Sequence, residues 1–281
     1  MRMHRTMAAT ATLALALGGA ALAAPAAQAA ATTSGSLVRQ DGELWYKAAA
    51  GQTNHLTVSE KIESRGDYEE YFILTFHDDN DITIDAEAAE WNECVYPSAD
   101  DHTTVQCAVL IPQNSDDSDS YDIDLGDGDD TVKLGADSSA YAGVHGGAGD
   151  DVLQGSAADV FWGEDGDDTI DGGGGIMSFG AYGGEGDDTI TNCTGECHGD
   201  AGNDTLSGNG EDNILWGDDG NDVLHGGEGG DTLYGGKGDD QLFGEQGNDT
   251  LWGNSGNDVL WGGEGDDTLS GGPGSNEVHQ D

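Results

Sequence analysis

Aspartate recurs at one place of a nine-residue frame. Asp130, Asp151, Asp168, Asp188, Asp204, Asp222, Asp231, Asp240, Asp249, Asp258 and Asp267 each stand sixth in a block that, Leu125 excepted, opens on glycine. The consecutive blocks Gly217–His225, Gly226–Tyr234 and Gly235–Phe243 show the frame, with glycine first and fourth, aspartate sixth and leucine eighth. A carboxylate is a hard anionic oxygen donor, and stacked blocks line such donors up where they repel one another. Glycine supplies tight turns, because it adopts positive φ at little cost, and its missing side chain lets backbone carbonyls face inward. A cation taking six to eight oxygen ligands satisfies carbonyls and carboxylates together. Calcium suits this better than magnesium, which demands a stricter octahedron. The eleven aspartates are therefore the expected metal ligands. Two blocks depart from the frame. Gly208–Trp216 has Asn213 at place six and Glu211 where glycine belongs, so its site is expected to be weak or lost. Gly271–His279 carries Asn276 and reads as a terminal cap.

The elements that position these residues must be short. Leu206, Leu215, Leu224, Leu233, Leu242, Leu251, Leu260 and Leu269 all take place eight. One buried leucine contributes about 1.5–3 kcal/mol, a thin core for nine ordered residues under charge repulsion. Coupled folding and metal binding is the expectation. The frame starts at Leu125–Val132 and slips at Gly155–Trp162, Gly172–Tyr182 and Asn192–His198. It then runs without a break from Gly199 to His279, so the slips read as bulges within one solenoid.

The pattern G-G-x-G-x-D-x-U-x, with U apolar, is a known calcium-binding repeat signature. Over Leu125–His279 the chain resembles the RTX (repeats-in-toxin) family of hemolysin-type nonapeptide repeat proteins. The resemblance implies an all-β fold, a parallel β-roll (a right-handed β-solenoid) with two blocks per turn, so that blocks two apart stack in one sheet. Place eight then points inward, and places seven and nine point outward. Trp216, Tyr234 and Trp252 are expected to stack along one sheet and His225, Phe243 and Trp261 along the other. Such rings either reinforce narrow sheets or offer a docking strip to a polysaccharide, cell wall or protein partner. Relatives that use a dedicated secretion channel carry a signal after the repeats. Only Gln280 and Asp281 follow the last block here, which favours the general export route.

Three divisions are expected: a signal peptide over 1–29, a β-rich domain over 30–124 and the roll over 125–281. The first segment joins Arg2 and Arg5, an apolar run Ala11–Ala23 and the small-residue motif Ala27-Gln28-Ala29. Its removal takes two arginines and no acid, moving the formal charge from -48 to -50. That charge repels nucleic acid and anionic membrane surfaces, and no later run is apolar enough to span a membrane. The product is expected to be secreted and extracellular. Four cysteines in an exported chain suggest two disulfides, and proximity favours Cys94 with Cys107 and Cys193 with Cys197. The middle region reads as a small, mostly antiparallel β domain with strands at 43–46, 56–58, 71–76, 82–84 and 105–111, and Ser115–Ser120 as a linker. It lacks H-E-x-x-H and G-x-S-x-G, and no catalytic residues are assigned. The leading expectation is a secreted calcium-binding protein with a structural or adhesive role, not an enzyme. The alternatives are a calcium-dependent polysaccharide or cell-wall module, and a hydrolase in the N-terminal domain.

Overall fold

A computed structural model describes residues 34–66, 69–111, 120–136, 138–156, 159–172 and 179–281. The expected signal peptide and all of the acidic run Ser115–Ser120 except Ser120 lie outside the described residues. Five strands and a helix form first: β1 Gly35–Gln40, β2 Glu43–Lys47, β3 His55–Arg65, β4 Glu69–His77, β5 Ile82–Ile84, α1 Ala86–Trp91 and then a sixth strand, β6 Thr104–Leu110. β1 pairs antiparallel with β2, and β3–β4–β6 form an antiparallel set. The helix starts where Asp85 accepts the Ala88 N–H at 2.6 Å, an N-cap over an alanine-rich turn. Strand β1 and helix α1 are additions to the sequence expectation; six residues are too few to show a helical period. Cys94 is joined to Cys107 and Cys193 to Cys197, the pairings that proximity favours.

From β7 (Tyr121–Asp124) and β8 (Thr131–Leu134) onward the strands alternate between two sheets, and each pairs parallel with the strand one full turn away. This is the expected β-roll, a mostly parallel solenoid preceded by a smaller antiparallel β-rich region. The early strands also extend the same sheets. β2 lies parallel to β7, with Trp45 opposite Asp122, and β3 lies parallel to β8, with His55 opposite Thr131. Each sheet therefore has twelve strands among the described residues.

Place eight fills the interior. Leu153, Ile170, Ile190, Leu206, Leu224, Leu242 and Leu260 line one sheet, and Val144, Phe161, Ala181, Cys197, Leu215, Leu233 and Leu251 the other, all fully buried. The Cys193–Cys197 bridge thus sits in the core, with Cys197 in a position that leucine holds elsewhere. Place nine lies in register on the outside, Trp216 opposite Tyr234 opposite Trp252, and His225 opposite Phe243 opposite Trp261. The rings stack at Trp216–Tyr234 and His225–Phe243, and the expected stacking does not extend to Trp252 or from Phe243 to Trp261.

Candidate metal centres on the two edges

Chain reversals between the sheets create two edges, and the eleven aspartates divide unequally between them. Asp130, Asp151, Asp168, Asp188, Asp204, Asp222, Asp240 and Asp258 follow strands of the β7 sheet and form one uninterrupted row. Asp231, Asp249 and Asp267 follow strands of the β8 sheet and form a short row on the opposite edge. All three slips of the frame fall on that second edge, in the connections after Gln154, Asp171 and Cys193. The period is broken on one side of the roll only.

In each row every carboxylate is held the same way. Its Oδ1 accepts the backbone N–H of the place-six residue one turn earlier, at 2.7–3.1 Å along the long row from Asp130 to Asn276. The short row repeats this at 2.8–3.0 Å from Asn213 through Asp231 and Asp249 to Asp267. Asn54 starts the long row, its N–H reaching Asp130 Oδ1 at 2.6 Å, so the N-terminal region supplies the first rung.

The other oxygen of each pair is the chemically informative one. Oδ2 of all eleven aspartates is buried and has no hydrogen-bond partner. Buried polar atoms are ordinarily paired, and an ionised one left alone is costly. Asp159, also on the second edge, shows the contrast. Ala142 N–H reaches its Oδ1 at 3.1 Å, and Ser156 donates to its Oδ2 through N–H at 2.7 Å and Oγ at 2.9 Å. Ten of the eleven orphaned oxygens, all but that of Asp130, instead face hollows beside place-one glycines. A Cβ built on Gly146 would lie 2.5 Å from Asp151 Oδ2 and 2.7 Å from the Gly163 carbonyl. One on Gly244 would lie 2.5 Å from both Asp249 Oδ2 and the Gly262 carbonyl. In eight of these ten hollows the carboxylate is joined by a main-chain carbonyl from the next turn, at separations close to the 2.3–2.6 Å of calcium–oxygen bonds. The donor set is all oxygen and fits a hard divalent cation.

Electrostatics point the same way. Burial, reinforced by the carboxylates of adjacent turns, pushes Asp151, Asp188, Asp222 and Asp240 up to about 7, despite the backbone N–H that each accepts. Asp168, Asp204 and Asp231 rise to about 6, and Asp130, Asp249 and Asp258 are also raised, burial again leading. The roll sequence offers only Lys133 and Lys237 as cationic side chains against them.

Asn213 keeps the geometry without the charge. The Cβ position of Gly208 abuts Asn213 Oδ1 and the Gly226 carbonyl, while Asn213 Nδ2 donates to the Cys193 carbonyl at 3.1 Å. Glu211 is accommodated because Asn209 reshapes this turn, its Oδ1 accepting the Glu211 N–H at 2.9 Å. At the far end the Gln280 carbonyl closes the Asp267 hollow, taking the part of a place-one glycine.

A second ladder was not anticipated from the sequence. Place-five side chains accept from the following turn, Asp129 from Asp150 N–H at 3.2 Å and Asp150 from Asp167 N–H at 3.1 Å. The series runs on through Asp167, Asp187, Asn203, Asn221, Asp239 and Asn257. These residues are exposed and brace the loops. The signal was present, since Asp or Asn fills place five with the same period as place six.

The His198, Asp200 and Asp218 side chains also converge on the outer face. No helix among the described residues is long and apolar enough to cross a membrane. No curated protein matches the chain. A family model described as RTX calcium-binding nonapeptide repeat (4 copies) matches residues 145–176, 181–191, 198–233, 216–251, 225–260 and 243–278.

Proposed function

Residues 145–278 belong to the RTX calcium-binding nonapeptide repeat family, and from that premise we infer that this is a secreted protein whose β-roll assembles around calcium and serves as an extracellular structural element. The identification is of a structural repeat, not a catalytic module. The observation that carries the reading is the set of eleven buried Oδ2 atoms without donors, ten of them facing hollows at place-one glycines. Asp130, Asp151, Asp168, Asp188, Asp204, Asp222, Asp240 and Asp258 would hold ions along one edge, and Asp231, Asp249 and Asp267 along the other. Bound calcium supplies positive charge between carboxylates that otherwise repel. The chain's part is to fix Oδ1 by backbone N–H groups, aim Oδ2 and keep the hollow free of side chains.

A structural role suits the outer face better than sugar docking does. Trp45, His145, Trp162, Tyr182, His198, Trp216 and Tyr234 form a ladder with interplanar angles of 3–16° and centroid spacings of 3.9–6.3 Å. Rings stacked this way spend their faces on one another and turn edges outward, whereas a sugar stacks on a free face. Export rests on the N-terminal sequence pattern, and the high extracellular calcium level matches the weak sites typical of such modules, about 10⁻⁴–10⁻³ M. Calorimetric titration of the chain with calcium, and with magnesium as control, tests the reading. Several calcium ions per chain and weak or absent magnesium binding are expected; no calcium binding in the millimolar range would refute it.

A further inference from the structure

Outside the two rows, one ring nitrogen of His198 and one oxygen each of Asp200 and Asp218 lie within 4.8 Å of one another. All three residues are half-buried. His198 belongs to the aromatic ladder, with Tyr182 and Trp216 stacked on its two faces at 5.1 and 5.7 Å. The stack fixes the ring plane and leaves only the ring edge for chemistry. On that edge Nδ1 meets Asp218 Oδ2 at 2.9 Å and Nε2 faces Glu196 Oε1 at 3.6 Å. Glu196 is itself oriented, accepting Trp216 Nε1–H at 3.1 Å.

The two aspartates occupy the second place of successive turns in this sheet, where Gly147, Gly184, Gly236 and Gly272 stand in other turns. Both keep the glycine-like backbone, with φ of 70° and 71°, a region that non-glycine residues enter at a cost. Two other ladder-position histidines show what a simple ion pair needs. His145 meets Glu164 at 2.8 Å and His225 meets Glu245 at 2.9 Å, one acid each. In both, the block that opens directly after the histidine has glycine at place two, Gly147 and Gly227. At His198 the block that follows instead adds a second carboxylate, Asp200, to the acid from the next turn. The extra negative charge is more than one imidazolium can balance.

We propose that His198, Asp200 and Asp218 form a binding site for a divalent transition-metal ion of the zinc class, distinct from the calcium rows. An imidazole nitrogen with two carboxylates is a donor set for zinc-class ions, whereas calcium favours oxygen alone. Three protein ligands leave a fourth position to water. Glu196 acts from behind, holding the remaining ring nitrogen and so the direction of the ligating one. The site requires the folded roll but not any particular assignment of the calcium ligands.

The test is calorimetric titration of the calcium-loaded full chain with zinc, repeated with cobalt to read ligand-field absorption. One ion per chain is expected. Affinity should fall at least about tenfold in H198A, D200G and D218G and stay unchanged in H225A. D200G and D218G return glycine to positive-φ positions, so the roll keeps its fold, as unchanged calcium-dependent circular dichroism will verify. Absence of zinc binding at millimolar concentration would overturn the proposal. So would binding that D218G leaves intact, or binding that H225A weakens as much as H198A does.

Discussion

A single methyl group distinguishes a metal hollow from an ordinary loop. Gly244 does not have the positive φ that strains other residues, so Gly244→Ala costs little in backbone terms. Its Cβ would nevertheless stand 2.5 Å from Asp249 Oδ2 and from the Gly262 carbonyl, inside the hollow. G244A is expected to lower calcium stoichiometry by one, measured by titration, with the roll still formed at high calcium. Asp222→Asn keeps shape and removes charge, as Asn213 and Asn276 show an amide can occupy place six. We expect D222N to weaken calcium-coupled folding by about 1.5–3 kcal/mol, the worth of a hydrogen bond or contact to a charged group. The same carboxylates set the pH response. Their folded values of about 6 to 7 lie above the value of about 3.9 in an unfolded chain. The folded, metal-free roll therefore holds protons that the unfolded chain has released, and its stability falls as pH rises through about 4 to 7. Far-UV circular dichroism in chelator should show more β structure at the acid end of that window; a pH-independent signal would contradict the buried-carboxylate account.

At the scale of elements, the two edges have different securing devices. The long row is continuous from Asp130 to Asp258, whereas among the described residues the second edge is secured by Asp159 and the Cys193–Cys197 bridge until Asp231. The sequence frame made the aspartates legible because a strict period survives any fold that repeats. It did not show their division between edges, since the slips hide which blocks share a side. Nor did it show the upper half of the aromatic ladder. His145, Trp162 and Tyr182 stack one turn apart, and Trp45 stacks on His145 across the intervening strand β7, but unequal numbers of residues separate them along the chain. Place five was missed for another reason: its side chains brace loops rather than bind, and only burial, the orphaned Oδ2 and the hydrogen-bond direction separate the two roles. Trp216→Ala, which removes a rung between His198 and Tyr234, should cost about 0.5–1.5 kcal/mol per stacked pair. Thermal unfolding in calcium should report that loss while calcium stoichiometry stays the same.

For the whole molecule, the N-terminal strands are part of the roll's construction. Their alternating apolar residues were readable as strands, but the parallel pairing of β2 with β7 and β3 with β8 depends on partners far along the chain. Asn54 carries the first rung onto Asp130, so the antiparallel region offers two sheet edges and a loop template to the first turn. Deleting residues 30–111 should raise the calcium concentration needed to fold the repeats. Under the proposed function, charge repulsion in this acidic chain keeps the roll from forming until calcium occupies the rows. The test is far-UV circular dichroism of residues 30–281 at neutral pH, titrated with calcium and separately with magnesium. A steep rise in β signal specific to calcium is expected; full β structure already present in chelator and unmoved by calcium would overturn the proposal.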